Sequence, residues 1–471
     1  MEKRRELIQF YKKVMAITFP IIIQNAISNF VNLLDNIMIG RVGTDQMSGV
    51  AIVNQLFFVF NLCIFGAISG AGIFSAQFYG NGDNEGVRDT FRFKMVVAVI
   101  ITFIAIGIFV FIPDPLIKLY LHEGSATGDI NATLAFGKEY MLIMLIGLLP
   151  FAADCCYSGT MRDTGETFVP MVASVAAILT NLVGNYILIY GKFGAPELGV
   201  AGAAIATVAS RYVQLLIDVI WTHTHHEKYK FIEKAYRSLR IRPGLAKKIA
   251  ILGFPLLINE TLWSAGIAVQ NQAYSIRGLA VVAGLNICST ISNMFSVVFF
   301  AMGDAVAIIV GQMLGSGKLK EAKKSAYRII ALSTIIGAIC GVLMFLTAPL
   351  FPRIYNTTDE VRSLAGNFMK AYAILMPVMG FLHATYFTIR SGGKTFITFL
   401  FDSCFLWVIA VPITFVLSHY TSLNIVNVYF ICLAVDLIKL IIGWILLVKG
   451  IWLQDLTKTV NDGAAKKTTE A

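Results

Sequence analysis

Two stretches decide the fold: FPIIIQNAISNFVNLLDN, residues 19–36, and FPLLINETLWSAGIAVQN, residues 254–271. Their Phe, Pro and closing Asn match. The offset that carries Phe19 to Phe254 also carries Gly49 to Gly284, Gln77 to Gln312, Gly80 to Gly315 and Gly82 to Gly317. The chain therefore repeats itself in two halves. Each copy is apolar over a long run, yet each holds amides and an acid.

Apolar runs of the roughly 18–20 residues needed to cross a bilayer recur about twelve times, from 14–39 through 248–274 to 425–448. Hydrophobic residues make up 57% of the 471 and charged residues 14%, against roughly 25% charged in a soluble domain. Most of the surface must face lipid. The expected fold class is an all-α polytopic membrane protein, with twelve transmembrane helices in two six-helix lobes. An even number of spans per half makes both halves enter from the same side, related by a pseudo-two-fold axis along the membrane normal. The expected organisation is an N-lobe at 1–221, a linker at 222–247, a C-lobe at 248–450 and a tail at 451–471.

The net charge of +10 does not imply nucleic acid. Lysine and arginine concentrate at the N-terminus (Lys3, Arg4, Arg5), in the linker and around 318–328. These are alternate loops, and the positive-inside rule places them and both termini in the cytoplasm. The first apolar run contains Pro20, Gln24, Asn25 and Asp35, so it reads as an uncleaved span rather than a signal peptide. The seven cysteines fall in apolar runs with no metal-site spacing and read as buried thiols. His223, His225 and His226 lack an accompanying ligand set and read as a solvated cluster. The closing NDGAAKKTTEA reads as disordered.

A charged side chain within a bilayer costs about 2.5–3.5 kcal/mol on insertion scales, which makes intramembrane acids functional candidates. In the first span Asn25, Ser28, Asn29, Asn32, Asp35 and Asn36 share a stripe of roughly 120°. The seventh span repeats the stripe with Asn259, Glu260, Trp263, Ser264, Gln270 and Asn271. The repeat maps Asn25 onto Glu260 and Asp35 onto Gln270, so each half has one acid on the same face at a different depth. Such stripes line a water-filled cavity or bury against other helices. Asn181 and Asn185 sit four apart on one face of the fifth span, and Thr207 lies among the small residues of GVAGAAIATVASR, which permit close helix approach. With Asp35 they form either an oxygen-rich proton or sodium site or a set of interhelical hydrogen bonds. Glu260, Asn259, Trp263, Gln24, Asn25 and Asn29 are the candidates for substrate or second-cation contact. Pro20 favours a local bend. Asp436, three residues before Lys439, reads as its ion-pair partner. Asp154 and Asp218 lie near cytoplasmic ends and are expected to reach water, and Asp402 lies deeper. Arg162 and Arg390 read as topogenic or loop-ordering residues. No phosphate-binding loop, nucleophile elbow or zinc signature occurs, so neither an enzyme nor direct ATP drive is expected.

These features resemble the MATE (multidrug and toxic compound extrusion) transporters of bacteria, with a mixture of NorM-like and DinF-like traits. The resemblance is carried by FP…D…MIGRVG at 19–43, GAGIFSAQFYGNGD at 70–83, MRDTGET at 161–167, LGVAGAAIATVASR at 198–211, GFPLLINETLWS and GQMLGSGKLKEAKKSAYR. It covers nearly the whole chain. It implies a secondary-active exporter that antiports organic, often cationic and amphipathic compounds against sodium or protons by alternating access. It implies a cation site at Asp35, Asn181, Asn185 and Thr207, and a C-lobe acid at Glu260. Some members carry an acid where this chain has Asn185, and an acid on the tenth span where it has MGFLH. The expected protein is a monomer in the cell membrane, without a cofactor other than its coupling ion. The alternative is a lipid-linked glycan flippase of a related two-lobe class. Such carriers usually have extra spans and a basic cavity, whereas this one reads acidic and amide-rich. A major-facilitator carrier would carry a GxxxD…GRR-like loop, which GNGDNEGVRDTFR does not match.

Overall fold

The computed structural model describes residues 2–120 and 129–458, and the described residues form helices joined by turns. Among the described residues twelve helices are long and apolar enough to cross a membrane, as the repeat leads one to expect. The six of the first half are Glu2–Gly40, Thr44–Gly80, Asn84–Phe111, Ile130–Asp163, Phe168–Tyr190 and Gly199–Thr224. Those of the second are Leu245–Ser275, Leu279–Gly315, Leu319–Thr347, Asp359–Ser391, Thr395–Tyr420 and Ile425–Lys449.

The first helix starts well before the apolar run. Its basic first turns are good helix formers, and the Arg328 guanidinium lies over the Phe10 ring, 5.4 Å from its centroid, within the roughly 6 Å of a cation–π contact. Pro20 lies inside this continuous helix. In the fourth span a 3₁₀ turn, Leu145–Gly147, frees the Gly147 carbonyl, which accepts from Arg211 Nη1 at 3.2 Å. The eleventh span widens into π turns at Leu400–Cys404 and Leu406–Ala410, just before Pro412. Such turns re-aim side chains, here Asp402 and Ser403.

Packing divides the chain into two compact units. One holds residues 23–75 and 83–247. The other holds the first helix up to Ile22, residues 76–82 and the described residues from Lys248 onward. The division crosses the first helix two residues beyond Pro20.

In the second unit the repeat has a physical cause. A Cβ on Gly80 would overlap the backbone carbonyl of Gln312, and a Cβ on Gly315 would overlap the backbone carbonyl of Gln77. The two helix ends meet backbone to backbone, reciprocally. The turns that follow use Gly82 at φ +75° and Gly317 at φ +73°, a left-handed conformation that costs glycine little. Gln77 is fully buried. Its Nε2 donates to Ser391 O at 2.9 Å, and its Oε1 accepts from Leu456 N at 2.7 Å. The start of the expected tail is thus pinned, with Trp452 completely buried. Residues 459–471 of that tail lie outside the described residues.

The linker is largely exposed but anchored at its middle. Tyr229, Phe231 and Ile232 are buried. Arg92 donates to the carbonyls of Lys234, Ala235 and Arg240 at 2.8–3.0 Å. Arg242 grips Asp83 with two bonds of 2.6 and 2.7 Å. His223, His225 and His226 are exposed, and the His223 ring also bonds Tyr157 Oη at 3.2 Å and stacks on Tyr236. All seven cysteines are free thiols, four of them buried.

Candidate functional site

In the amino-terminal unit Gly184 and Gly202 let the fifth and sixth spans approach closely: added Cβ atoms would come within 2.8 Å of Ala206 Cβ and 2.5 Å of Leu188 O. This approach brings Asn181 and Thr207 within 3.1 Å. The first helix adds Asp35, whose Oδ1 accepts from Asn185 Nδ2 at 2.7 Å. The structure therefore gathers Asp35, Asn181, Asn185 and Thr207 into one cluster. Asn185 is 1% exposed, and its Oδ1 has no hydrogen-bond partner among the described residues. Among the described residues no Lys or Arg forms an ion pair with Asp35.

The Asn181 amide has two settings. With its nitrogen toward Asp35 it lies 3.0 and 2.9 Å from the two carboxylate oxygens, and its oxygen faces Thr207 Oγ1. With its oxygen toward Asp35, its Nδ2 donates to Thr207 Oγ1, which passes its own hydrogen to Ala203 O at 2.9 Å. The first setting suits a charged carboxylate. The second suits a protonated one, or a cation held between the oxygens. Tyr140, which donates to Asn54 Oδ1 at 3.3 Å and reaches Thr207, closes one side. Sequence reasoning passes over Tyr140 and Asn54, since a lone hydroxyl and a lone amide stand out from neither the apolar runs nor the repeat.

The carboxy-terminal unit builds a different cluster around Asn259 and Glu260, the counterparts of Gln24 and Asn25 rather than of Asp35. Asn259 is 1% exposed. Its Nδ2 donates to Tyr386 Oη at 3.3 Å and to Asp402 Oδ2 at 3.2 Å, and its Oδ1 accepts from Ser403 Oγ at 2.7 Å. Lys439 Nζ donates to Asp402 Oδ1 at 3.0 Å. The expected Asp436–Lys439 pair is corrected here: the ammonium turns to the neighbouring span, where the π turn presents Asp402. Glu260 is half-buried, bonded to Asn259 and acted on by the charges of Arg390 and Asp402. Arg390 is 7% exposed and stacks on Phe387 at 5.2 Å, so it is a buried member of this unit and not a loop residue. Gln270, the counterpart of Asp35, donates to Thr414 Oγ1 of the eleventh span at 3.1 Å. That contact echoes the one between the first and fifth spans.

The remaining candidates scatter. Gln24 is buried and accepts from Arg162 Nη2 at 2.8 Å. Asn25 is half-buried, Asn29 exposed, and Trp263 is 42% exposed. The side chains of Asn32 and Asn36 lie outside what is described. Asp154 and Asp218, expected to reach water, are 5% and 0% exposed.

A family model described as MatE matches residues 20–187 and 255–416. The chain belongs to the MatE family. It is a multi-pass membrane transporter of the MATE type and not an enzyme. The "Probable multidrug resistance protein NorM" of Thermotoga maritima is 23% identical over 451 residues, covering 95% of this chain and 94% of that one. The "Probable multidrug resistance protein YoeA" of Bacillus subtilis is 24% identical, covering 87% of each. Among solved structures, a crystal structure of MATE in the bent conformation shares the fold with a TM-score of 0.83 at 18% identity, covering 97% of both chains.

Proposed function

We propose that this MATE transporter exports organic, amphipathic and often cationic compounds, driven by sodium or protons entering through the amino-terminal unit by alternating access. The relatives' names as multidrug resistance proteins support the substrate class. The observation that carries the coupling is the buried Asp35 carboxylate, held by Asn181 and Asn185 with no basic partner among the described residues. An acid in that setting binds a positive charge reversibly, which a permanent Arg or Lys partner would prevent. The surrounding oxygens, including the unpartnered Asn185 Oδ1, are hard donors that suit sodium, and the two settings of Asn181 suit a proton equally. Binding the cation switches the hydrogen bonding between the first, fifth and sixth spans. Pro20, which has no amide hydrogen to add to the ladder of the first helix, lets that helix bend in response. Glu260, with Asn259, attracts the cationic substrate. Both termini face the cytoplasm, and the protein sits in the cell membrane.

One charge moving down about 100 mV supplies about 2.3 kcal/mol, or roughly a fifty-fold concentration ratio. The test is drug efflux in proteoliposomes with sodium and proton gradients imposed separately. Efflux driven by either gradient in wild type and lost in Asp35→Asn supports the reading. Undiminished gradient-driven efflux in Asp35→Asn rejects it.

A further inference from the structure

A pair of acids lies in the same unit, apart from the Asp35 cluster. Asp154 on the fourth span and Asp218 on the sixth are 5% and 0% exposed. Their carboxyl groups meet within hydrogen-bonding reach of each other. Gln214 Nε2 donates to Asp154 Oδ2 at 2.7 Å. Asp154 Oδ1 and both oxygens of Asp218 receive no N–H or O–H among the described residues.

Two adjacent carboxylates sealed from water cannot both keep a negative charge. The unmatched oxygens need a hydrogen between them, and a proton is the ligand that supplies it. The surrounding charged and titratable groups are few. Arg162, on the fourth span, acts on both acids; its Nη2 is turned to Gln24 Oε1 at 2.8 Å, and it makes no ion pair with either acid among the described residues. Cys155 and Cys156 stand beside Asp154. Lys94, on the third span, is taken by Asp163 at 2.6 Å. One positive charge thus faces two acids, and one shared proton leaves the cluster neutral.

The placement gives the pair a second meaning. Gln24 precedes Asp35 by eleven residues on the first helix, and Asp218 follows Thr207 by eleven on the sixth. Eleven residues are about three turns, roughly 16 Å, and return to the same helical face. The two polar clusters are therefore stacked along the same two helices. We propose that Asp154 and Asp218 form a second proton-binding site of the amino-terminal unit, three turns from the Asp35 cluster on the side of the basic loops. This inference does not depend on Asp35 being the coupling residue.

Infrared spectroscopy of the purified full-length protein tests it directly. At neutral pH a protonated-carboxyl C=O band is expected. Asp154→Asn and Asp218→Asn should each abolish the same band. In either variant the new amide donates the hydrogen that the proton supplied, and the remaining acid ionises beside Arg162. Asp35→Asn should leave the band in place. Gln214→Leu, which keeps both acids, should shift the band without removing it and serves if the Asn variants do not fold. Absence of the band, its survival in either Asn variant, an unshifted band in Gln214→Leu, or its loss on adding sodium at fixed pH would each overturn the proposal.

Discussion

Asn185 Nδ2 donates to Asp35 Oδ1 at 2.7 Å, tying the fifth span to the first. The bond is made by an amide and not by a fixed positive charge, so the carboxylate remains available to a mobile cation. Asp35→Asn keeps the shape and removes the charge. Gradient-dependent drug accumulation should fall from as much as about fifty-fold per coupled charge at about 100 mV to no concentration at all. Binding of the drug to detergent-solubilised protein should persist. Flux assays and equilibrium binding on the same preparation separate the two.

Glu260 provides the complementary case. Glu260→Gln should weaken binding of a cationic dye while leaving cation-dependent changes at the amino-terminal unit intact. Fluorescence titration checks this, and unchanged dye affinity together with unchanged transport would remove Glu260 from the substrate path.

Lys439 and Asp402 form a largely buried ion pair, 12% and 21% exposed. Lys439→Met leaves the Asp402 charge without its partner and should lower stability by about 3 kcal/mol, the low end for breaking such a pair. Lys439→Met with Asp402→Asn should recover most of the loss. Thermal unfolding in detergent measures both. Equal melting temperatures for the single and double variants would mean the pair carries no such energy.

The close approach at Gly80 and Gly315 predicts a sharp steric asymmetry among glycines. Gly315→Ala must push the Gln77 backbone away, and should sharply reduce folded protein in the membrane. Gly107→Ala has open space around the new methyl and should be neutral. Size-exclusion profiles of the two variants make the comparison.

The linker clamp should respond to pH in a defined direction. Burial by itself raises the Asp83 carboxyl, but the bonds from Arg242 and from the Gly86 and Glu85 amides outweigh it and hold the group below its ordinary 3.8. A depressed acid contributes stability that is fully present above its unfolded value and is lost as pH falls through the folded one. Docking of residues 225–244 should therefore be constant near neutrality and weaken below about pH 4. Burial likewise raises Glu166, and its bond from Lys228 and Tyr229 more than offsets this, so both contacts loosen together on acidification. Tryptic cleavage of the linker after brief acid exposure reads this out, and Asp83→Asn should be cleaved faster already at neutral pH.

The helix count, the repeat and the Asp35, Asn181, Asn185 and Thr207 set were legible in the residue order. Span length and polar stripes are local properties, and two acids or amides on one helical face need no knowledge of the neighbours. What the order of residues left open was partnership between helices. Lys439 prefers Asp402 to Asp436 because a π turn rotates the eleventh span. Asp154 and Asp218 face each other instead of water because the fourth and sixth spans pack with those faces inward. The linker is docked because Arg92 of the third span finds linker carbonyls, and Arg242 of the linker finds acids on the third span and the turn before it.

The sequence by itself determined how many helices form and which residues cannot face lipid, since hydrophobic length and periodicity act within one helix. Only the tertiary structure decided which polar groups meet. Helix rotation and close approach are set by glycine contacts and turns whose consequences appear on a neighbouring helix, far away in the chain.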